Sequence, residues 1–403
     1  MSRRSIFTLF GTRPEVIKLA PVLMEFEKRA DVVRTINVLS GQHADLVKPL
    51  IEFFGVRVDY DLNLMTRDRN PDLLLRRIVR HVTRIVRRER PDMIVVQGDT
   101  TTALAGAMAG YACGVPVAHV EAGLRSGNLQ SPYPEEMNRI SITQLATTHF
   151  AATKSNRDSL LREGIPERAI VLTGNPIVDA LRFVLDPARP ERLFSSFPLP
   201  ADSKCVVLTT HRRESFGPIL ERNLRVIRRF IERHSDTHLV FPVHPNPNIR
   251  IPAFRLLGDH PRITLTSPLP YADFIRLLSR SWLVISDSGG IQEEVPSLGK
   301  PLLILRDTTE RPECIEAGMA RLAGKSPQAL GALLEEAYEN NSWISSVHEI
   351  PNPFGIGDSA QRIVSHCVAL LHGRPLHRCP DPIFHAAPAT VSLNFNALSG
   401  DLC

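Results

Sequence analysis

The chain has 403 residues, 43% of them hydrophobic and 23% charged, with a formal net charge of +5. Those proportions belong to an ordinary soluble globular protein and exclude a disordered or fibrous class, while the length predicts two domains or more. The six cysteines, at positions 113, 205, 314, 367, 379 and 403, form no CxxC pair and no metal-like spacing, and read as reduced thiols of a cytosolic protein.

In chain order, MSRRSIFTLFGTRPEV is a short apolar run leading into a turn, which predicts a strand and no signal peptide. At its exit Gly11 makes the turn and Pro14 suits the start of a helix over 15–29. Arg13 and Lys18 then fall near a helix N-terminus, where backbone N–H groups attract anions; surface charges on a plain strand–helix turn fit equally well. The loop is neither a Walker A nor a GxGxxG motif, so neither ATP nor NAD is implied. VRTINVLS is the second strand. A helix over 72–89 follows, and within RIVRHVTRIVRRER Ile78, Val79, Val82, Ile85 and Val86 keep helical spacing. Its arginines predict a solvated face and not a nucleic-acid patch, since no aromatic residues interleave them.

MIVVQGD is the next strand, with Asp99 at its exit before a small-residue helix over 101–113. An N-cap role for Asp99 and a functional carboxylate both fit. VPVAHVE follows; Gly110, Gly114 and Pro116 break the apolar stretch, so it predicts a helix and a strand and no membrane span. The strand opens into HVEAGLRSGNLQSPYPEEMNR, which carries His119, Glu121, Arg125, Glu135, Glu136 and Arg139. Several carboxylates at neighbouring strand exits suit general acid–base work, with protonation split by mutual repulsion. PEEMNR alone reads equally as an acidic helix start. HFAAT, a helix over 154–163 and IVLTG complete the first half.

The join is placed at 182–204, rich in proline and serine. The second half repeats the alternation with CVVLTTH, HLVFPVH, ITLTS, WLVISDS, PLLILRD and ARLAG. Runs of this kind between helices predict an α/β chain with two parallel sheets, hence two Rossmann-like domains facing each other across a cleft. Ligands in such sheets sit beyond the carboxyl ends of the strands. Those exits carry His211, Arg212, Arg213 and Glu214, then His244, residues that suit proton transfer or anions. Ser288, Gly289 and Gly290 open a helix with bare N–H groups, a cradle for phosphate, and Glu294 one turn on suits ribose hydroxyls. Arg311 follows the next strand and suits a diphosphate. From about residue 374 the sequence loses all period and reads as a loosely ordered tail.

In order, GTRPEVIKLAPV, GQH, GDTTT, HVEAGLRSG, PEEMNR, HRRESFG, DSGGIQEE and RDTTERPE resemble the non-hydrolysing UDP-N-acetylglucosamine 2-epimerases, over roughly residues 5 to 372. The resemblance implies a glycosyltransferase-B fold: an N-terminal domain over 1–182, a UDP-binding domain over 183–357, and a helix at about 358–372 packing back on the first. It implies interconversion of UDP-N-acetylglucosamine and UDP-N-acetylmannosamine by elimination of UDP to 2-acetamidoglucal and re-addition, without NAD or metal, in a cytoplasmic homodimer. Asp99, Glu121 and Glu135 match the acid–base positions and His211 a further catalytic one. Arg13, Lys18, Ser288, Gly289, Gly290, Glu294 and Arg311 match the UDP site, and Phe274 a position near the uracil. Gln42, His43, Glu136, Arg212 and His244 match a regulatory site for a second UDP-N-acetylglucosamine. Asp45 stands there where a glutamine is usual, and residues 66–70 depart from the family pattern, which speaks against activation. A hydrolysing epimerase, a UDP-diacetamido-uronate 2-epimerase, a retaining glycosyltransferase and a non-catalytic nucleotide-sugar sensor are the alternatives.

Overall fold

Mostly apolar strands build both sheets of the molecule. The computed structural model describes residues 3–41, 44–64, 71–130, 132–188, 203–212, 215–340 and 342–374. They divide into two units: the described residues of Met1–Pro190, Thr309–Arg311 and Phe354–Ile383 form the first, and those of Glu191–Thr308 and Pro312–Pro353 the second.

The first unit runs β1 (Arg4–Phe10), α1 (Arg13–Glu27), β2 (Val33–Leu39), α2 (Ala44–Phe54), β3 (Tyr60–Asp61), α3 (Pro71–Glu89), β4 (Met93–Gln97), α4 (Thr101–Cys113), β5 (Val117–Ala122), α5 (Glu135–Leu145), β6 (Thr148–Ala151), α6 (Lys154–Arg162), β7 (Ile170–Leu172) and α7 (Pro176–Val184). Its sheet has the order β3-β2-β1-β4-β5-β6-β7, with every pairing parallel. The strand order reverses between β1 and β4, so a ligand crevice is expected beyond their carboxyl ends. All five residues of β4 and all six of β5 are buried, as covering on both faces requires.

The helices follow the same logic. The arginine face of α3 is exposed at Arg76, Arg77, Arg80, Arg84, Arg87 and Arg88, while Ile78, Val82, Ile85 and Val86 are buried. The small residues of α4 let it lie against the sheet: a Cβ on Gly106 would come within 2.6 Å of the Val96 side chain. Strand β3 escapes the sequence reading because two residues carry no pattern. Helix α7 runs to Val184, so the proposed join begins inside a helix, and residues 189–202 of it lie outside the described residues.

The second unit runs β8 (Lys204–Thr209), α8 (Pro218–Arg233), β9 (Thr237–Pro242), α9 (Pro247–Leu257), β10 (Ile263–Thr266), α10 (Tyr271–Ser279), β11 (Leu283–Ser286), α11 (Ile291–Ser297), β12 (Leu302–Ile304), α12 (Glu313–Glu316), β13 (Ala320–Leu322), α13 (Pro327–Glu339) and α14 (Ser342–Ser346). Its parallel sheet has the order β10-β9-β8-β11-β12-β13, which reverses between β8 and β11. Phe230, Phe241, Leu208, Ile285 and Leu330 fill its core. The α/β class with two parallel sheets is therefore as expected. Among the described residues no helix is long and apolar enough to cross a membrane.

Helix α15 (Ser359–Leu371) belongs to the first unit and packs on α1 and α7. Asp179 of α7 caps it, accepting from Ser359 N at 3.2 Å and Ala360 N at 3.1 Å. Burial pushes the Asp179 carboxyl up to about 6, against those hydrogen bonds. Between about pH 4 and 6 the native state thus holds a proton that the unfolded chain has released, so stability falls as pH rises through that window. Asp179→Asn is expected to shrink the fall in urea midpoint between pH 4.5 and 6.5 relative to the parent chain. An unchanged fall would remove Asp179 as its source. The tail beyond Arg374 lies outside the described residues.

Candidate functional site

The turn after β1 is built around Glu15. Thr12 caps α1, and Glu15, three residues on, reaches back: Gly11 N and Thr12 N donate to its Oε2 at 2.9 and 2.7 Å. Its other oxygen accepts from Thr100 Oγ1 at 2.6 Å. Glu15 therefore joins the β1–α1 turn to the β4–α4 turn across the point where strand order reverses. Burial raises its carboxyl to about 7, opposed by the hydrogen bonds from Thr100, Thr12 and Gly11. Arg13 and Asp99 sit on the two turns it ties.

One helical turn beyond, Lys18 Nζ lies 2.7 and 2.6 Å from the two oxygens of Glu121, and Gln97 Nε2 also donates to that carboxylate. Both side chains of the ion pair are buried. Glu121 has φ +65°, where the β5–β6 register slips between Val120 and Ala122. A non-glycine residue there costs about 1–3 kcal/mol, strain that concentrates at functional sites. Arg311, in the same unit, places Nη2 4.0 Å from Glu121 Oε1 and Nη1 3.7 Å from Glu310 Oε2.

On the neighbouring strand, Gly98 at φ +71° turns the chain so that Asp99 leaves the sheet. His119 supports that turn: its Nε2 lies 2.8 Å from Gly98 O, and burial, foremost, pushes the imidazole down to about 3, so it is a neutral strut. Arg139 donates to Asp99 Oδ2 through Nη2 and to Glu136 Oε2 at 2.8 Å through Nη1. Asn138 Nδ2 donates to Asp99 O at 2.9 Å. Glu136 is 1% exposed. It accepts from Ser126 N at 3.0 Å and Gly127 N at 3.1 Å, so it shapes the loop after β5. Glu135, one residue before, opens α5 and is half-buried. Asp99 and Glu121 do leave adjacent strands, but each meets its own cation.

In the second unit Asp287 organises the exits of β8 and β11. It is fully buried and accepts from Thr210 Oγ1 at 2.6 Å, His211 N at 3.1 Å and Arg212 N at 3.0 Å. Arg212 Nε donates to its carbonyl at 2.8 Å, and His211 Nδ1 lies 3.2 Å from its Oδ1. Burial works against the ionised form, yet hydrogen bonds led by His211 bring the Asp287 carboxyl below the ordinary range. His244 is stacked on His211 with centroids 6.2 Å apart; burial and that neighbour lower its imidazole. Ser288 N donates to Ser286 Oγ at 3.0 Å, and the N–H groups of Gln292, Glu293 and Glu294 are used within the turn. The cradle is thus narrower than four bare donors, and centres on Gly289 and Gly290. Glu294 is buried in α11 and Phe274 half-buried in α10.

Gln42, His43 and residues 66–70 lie outside the described residues, and Asp45 falls in α2. The sequence reading missed Glu15, Gln97 and Asp287 as site residues. Glu15 was legible as the fourth position of a Thr-x-x-Glu capping box, and Asp287 follows its strand directly. Gln97 carried no signal, because it ends a core strand.

A family model described as UDP-N-acetylglucosamine 2-epimerase matches residues 25–367. The UDP-N-acetylglucosamine 2-epimerase of Escherichia coli K12 is 39% identical over 365 residues, 89% of this chain and 97% of that protein. The crystal structure of the Neisseria meningitidis UDP-GlcNAc 2-epimerase bound to UDP-GlcNAc is 37% identical, with a TM-score of 0.85 over 90% of this chain and 99% of that one. The MurG structure of Acinetobacter baumannii, 13% identical, matches with a TM-score of 0.55 over 92% of this chain and 100% of that one, a likeness of fold alone. The fold is that of the glycosyltransferase-B class.

Proposed function

The chain belongs to the UDP-N-acetylglucosamine 2-epimerase family, and on that premise we propose that it interconverts UDP-N-acetylglucosamine and UDP-N-acetylmannosamine without releasing a free sugar. The observation that carries this reading is the pair of cation-held carboxylates, Asp99 and Glu121, at the carboxyl ends of adjacent strands beside the reversal point of the first sheet.

The proton at C2 of the sugar has no neighbouring carbonyl to acidify it. Breaking the C1–O bond builds positive charge at C1 and makes loss of that proton feasible. The electron pair of the C2–H bond forms the C1=C2 double bond, the C1–O pair leaves with UDP, and 2-acetamidoglucal results. Re-addition of UDP at C1 with a proton delivered to the opposite face of C2 gives the epimer. Neither the elimination nor the re-addition moves a hydride, so this route calls for no nicotinamide. Inversion at one carbon needs acid–base groups on two faces. We assign these to Asp99, Glu121 and Glu135, with His211 at the departing phosphate. An ammonium between both oxygens of Glu121 stabilises its carboxylate form, which suits a proton acceptor. Arg13, Lys18, Arg311, Ser288, Gly289, Gly290 and Glu294 are assigned to the UDP group and Phe274 to the uracil. Arg212 and His244 are assigned to a second nucleotide-sugar site; the burial of Glu136 under Ser126 and Gly127 argues for a loop-holding role there instead. The family resemblance alone carries the reading of a cytoplasmic homodimer serving polysaccharide biosynthesis.

The test is proton NMR of the purified protein with UDP-N-acetylglucosamine in D2O. Deuterium at C2 together with UDP-N-acetylmannosamine supports the proposal. Free N-acetylmannosamine with UDP would place the chain in the hydrolysing branch, and UDP binding without turnover would make it a sensor.

A further inference from the structure

His211 protrudes from the β8 exit with 42% of its side chain exposed, while the carboxylate beside it, Asp287, is wholly buried. A buried carboxylate is costly unless its lone pairs are occupied. Here the Thr210 hydroxyl and the N–H groups of His211 and Arg212 occupy them at 2.6, 3.1 and 3.0 Å. Those donors already satisfy the group as a loop anchor. The imidazole is nonetheless turned so that Nδ1 stands 3.2 Å from Oδ1. At that distance an acceptor-only carboxylate favours a proton on Nδ1 over a lone pair there. The neutral ring must then carry its lone pair on Nε2, the nitrogen directed away from Asp287. The neighbouring imidazole is held in the complementary form: His244 Nδ1 accepts from Asn246 N at 3.2 Å, so that nitrogen bears no proton.

We propose that Asp287 is a positioning residue for the reaction: it fixes His211 in the Nδ1–H form and aims Nε2 at the phosphate oxygen that leaves C1. The inference rests on the reading of His211 given above and extends it to a residue that touches no substrate. In the forward direction the ring acts as the imidazolium, having taken a proton from solvent on Nε2, and shares that proton with the departing β-phosphate oxygen as the C1–O bond breaks. In re-addition the same nitrogen takes that proton back, while Nδ1–H stays directed at Asp287 throughout. No oxidant, metal or further reactant enters.

The test joins 15N NMR of histidine-labelled protein with kinetics of Asp287→Asn and Thr210→Val. In the parent chain the His211 ring is expected to show a protonated Nδ1 and an unprotonated Nε2 when neutral. In Asp287→Asn the amide NH2 can face Nδ1 and demand its lone pair; the ring is expected to change tautomer. kcat should fall roughly 10²- to 10⁴-fold with KM within about threefold, the upper figure being the cost of a wrong histidine tautomer at a proton-transfer site. Thr210→Val removes one anchor donor and leaves the imidazole contact, so a lowered melting temperature with unchanged tautomer and kcat is expected. A neutral parent His211 ring protonated on Nε2 and bare on Nδ1, or Asp287→Asn with unchanged tautomer and kcat, would overturn the proposal. If Asp287→Asn does not fold, the parent spectrum alone decides. The spectrum needs no turnover: a parent chain lacking epimerase activity but showing the Nδ1–H form would refute the assigned reaction and leave the orientation by Asp287 standing.

Discussion

Glu121→Gln is expected to lower kcat by about 10³-fold, within the range for loss of a general acid or base, and to lower stability as well. The two effects have separable causes. The substitution keeps the shape of the side chain but removes the charge that both short contacts to Lys18 depend on. Removing one partner of a buried ion pair costs on the order of 3–5 kcal/mol. The double variant Lys18→Met, Glu121→Gln removes both charges and is expected to recover most of that stability while turnover stays lost. Urea melts and steady-state kinetics of the two variants separate the structural from the chemical contribution. Glu121→Gln with parental kcat would take Glu121 out of the mechanism.

Asp99→Asn is expected to depress kcat by roughly 10²- to 10⁴-fold and to leave UDP affinity within about threefold. Its structural cost should be smaller than that of Glu121→Gln. Arg139 keeps Glu136 at 2.8 Å when the Asp99 charge is gone, so no cation is stranded. The turn itself is held from below by His119 on Gly98 O and from the side by Asn138 on Asp99 O, neither of which uses the Asp99 carboxylate. Deuterium wash-in at C2, begun separately from each epimer, adds a face-resolved readout. If Asp99 and Glu121 serve opposite faces, each variant loses wash-in preferentially from one epimer. Parental turnover in Asp99→Asn would remove it from the acid–base set.

Much of this architecture is legible locally. The central strands β4, β5 and β11 are buried along their whole length and read as largely apolar runs, and the helices between strands follow the 3.6-residue period, as the Ile78–Val82–Ile85 stripe of α3 illustrates. The rule that ligands gather at strand carboxyl ends then singled out Arg13, Asp99, Glu121 and His211 without coordinates, because side-chain type and position along a strand are properties of the linear chain.

Partnership is not such a property. Lys18 and Glu121 are 103 residues apart, Arg139 and Asp99 are 40, and Thr210 and Asp287 are 77. Lys18, which reads as a phosphate ligand beside its own helix N-terminus, is also the counter-ion of a carboxylate two strands away, because β1, β4 and β5 lie side by side. Asp99 and Glu121 each acquire a cation, because desolvating an unpaired charge costs more than ordering a lysine or an arginine against it. Glu15 and Asp287 show the same limit from the other side. In the linear chain each is one acid near a turn. Their roles as a tie between two turns and as an anchor for a histidine arise only where parallel pairing places β1 beside β4 and β8 beside β11.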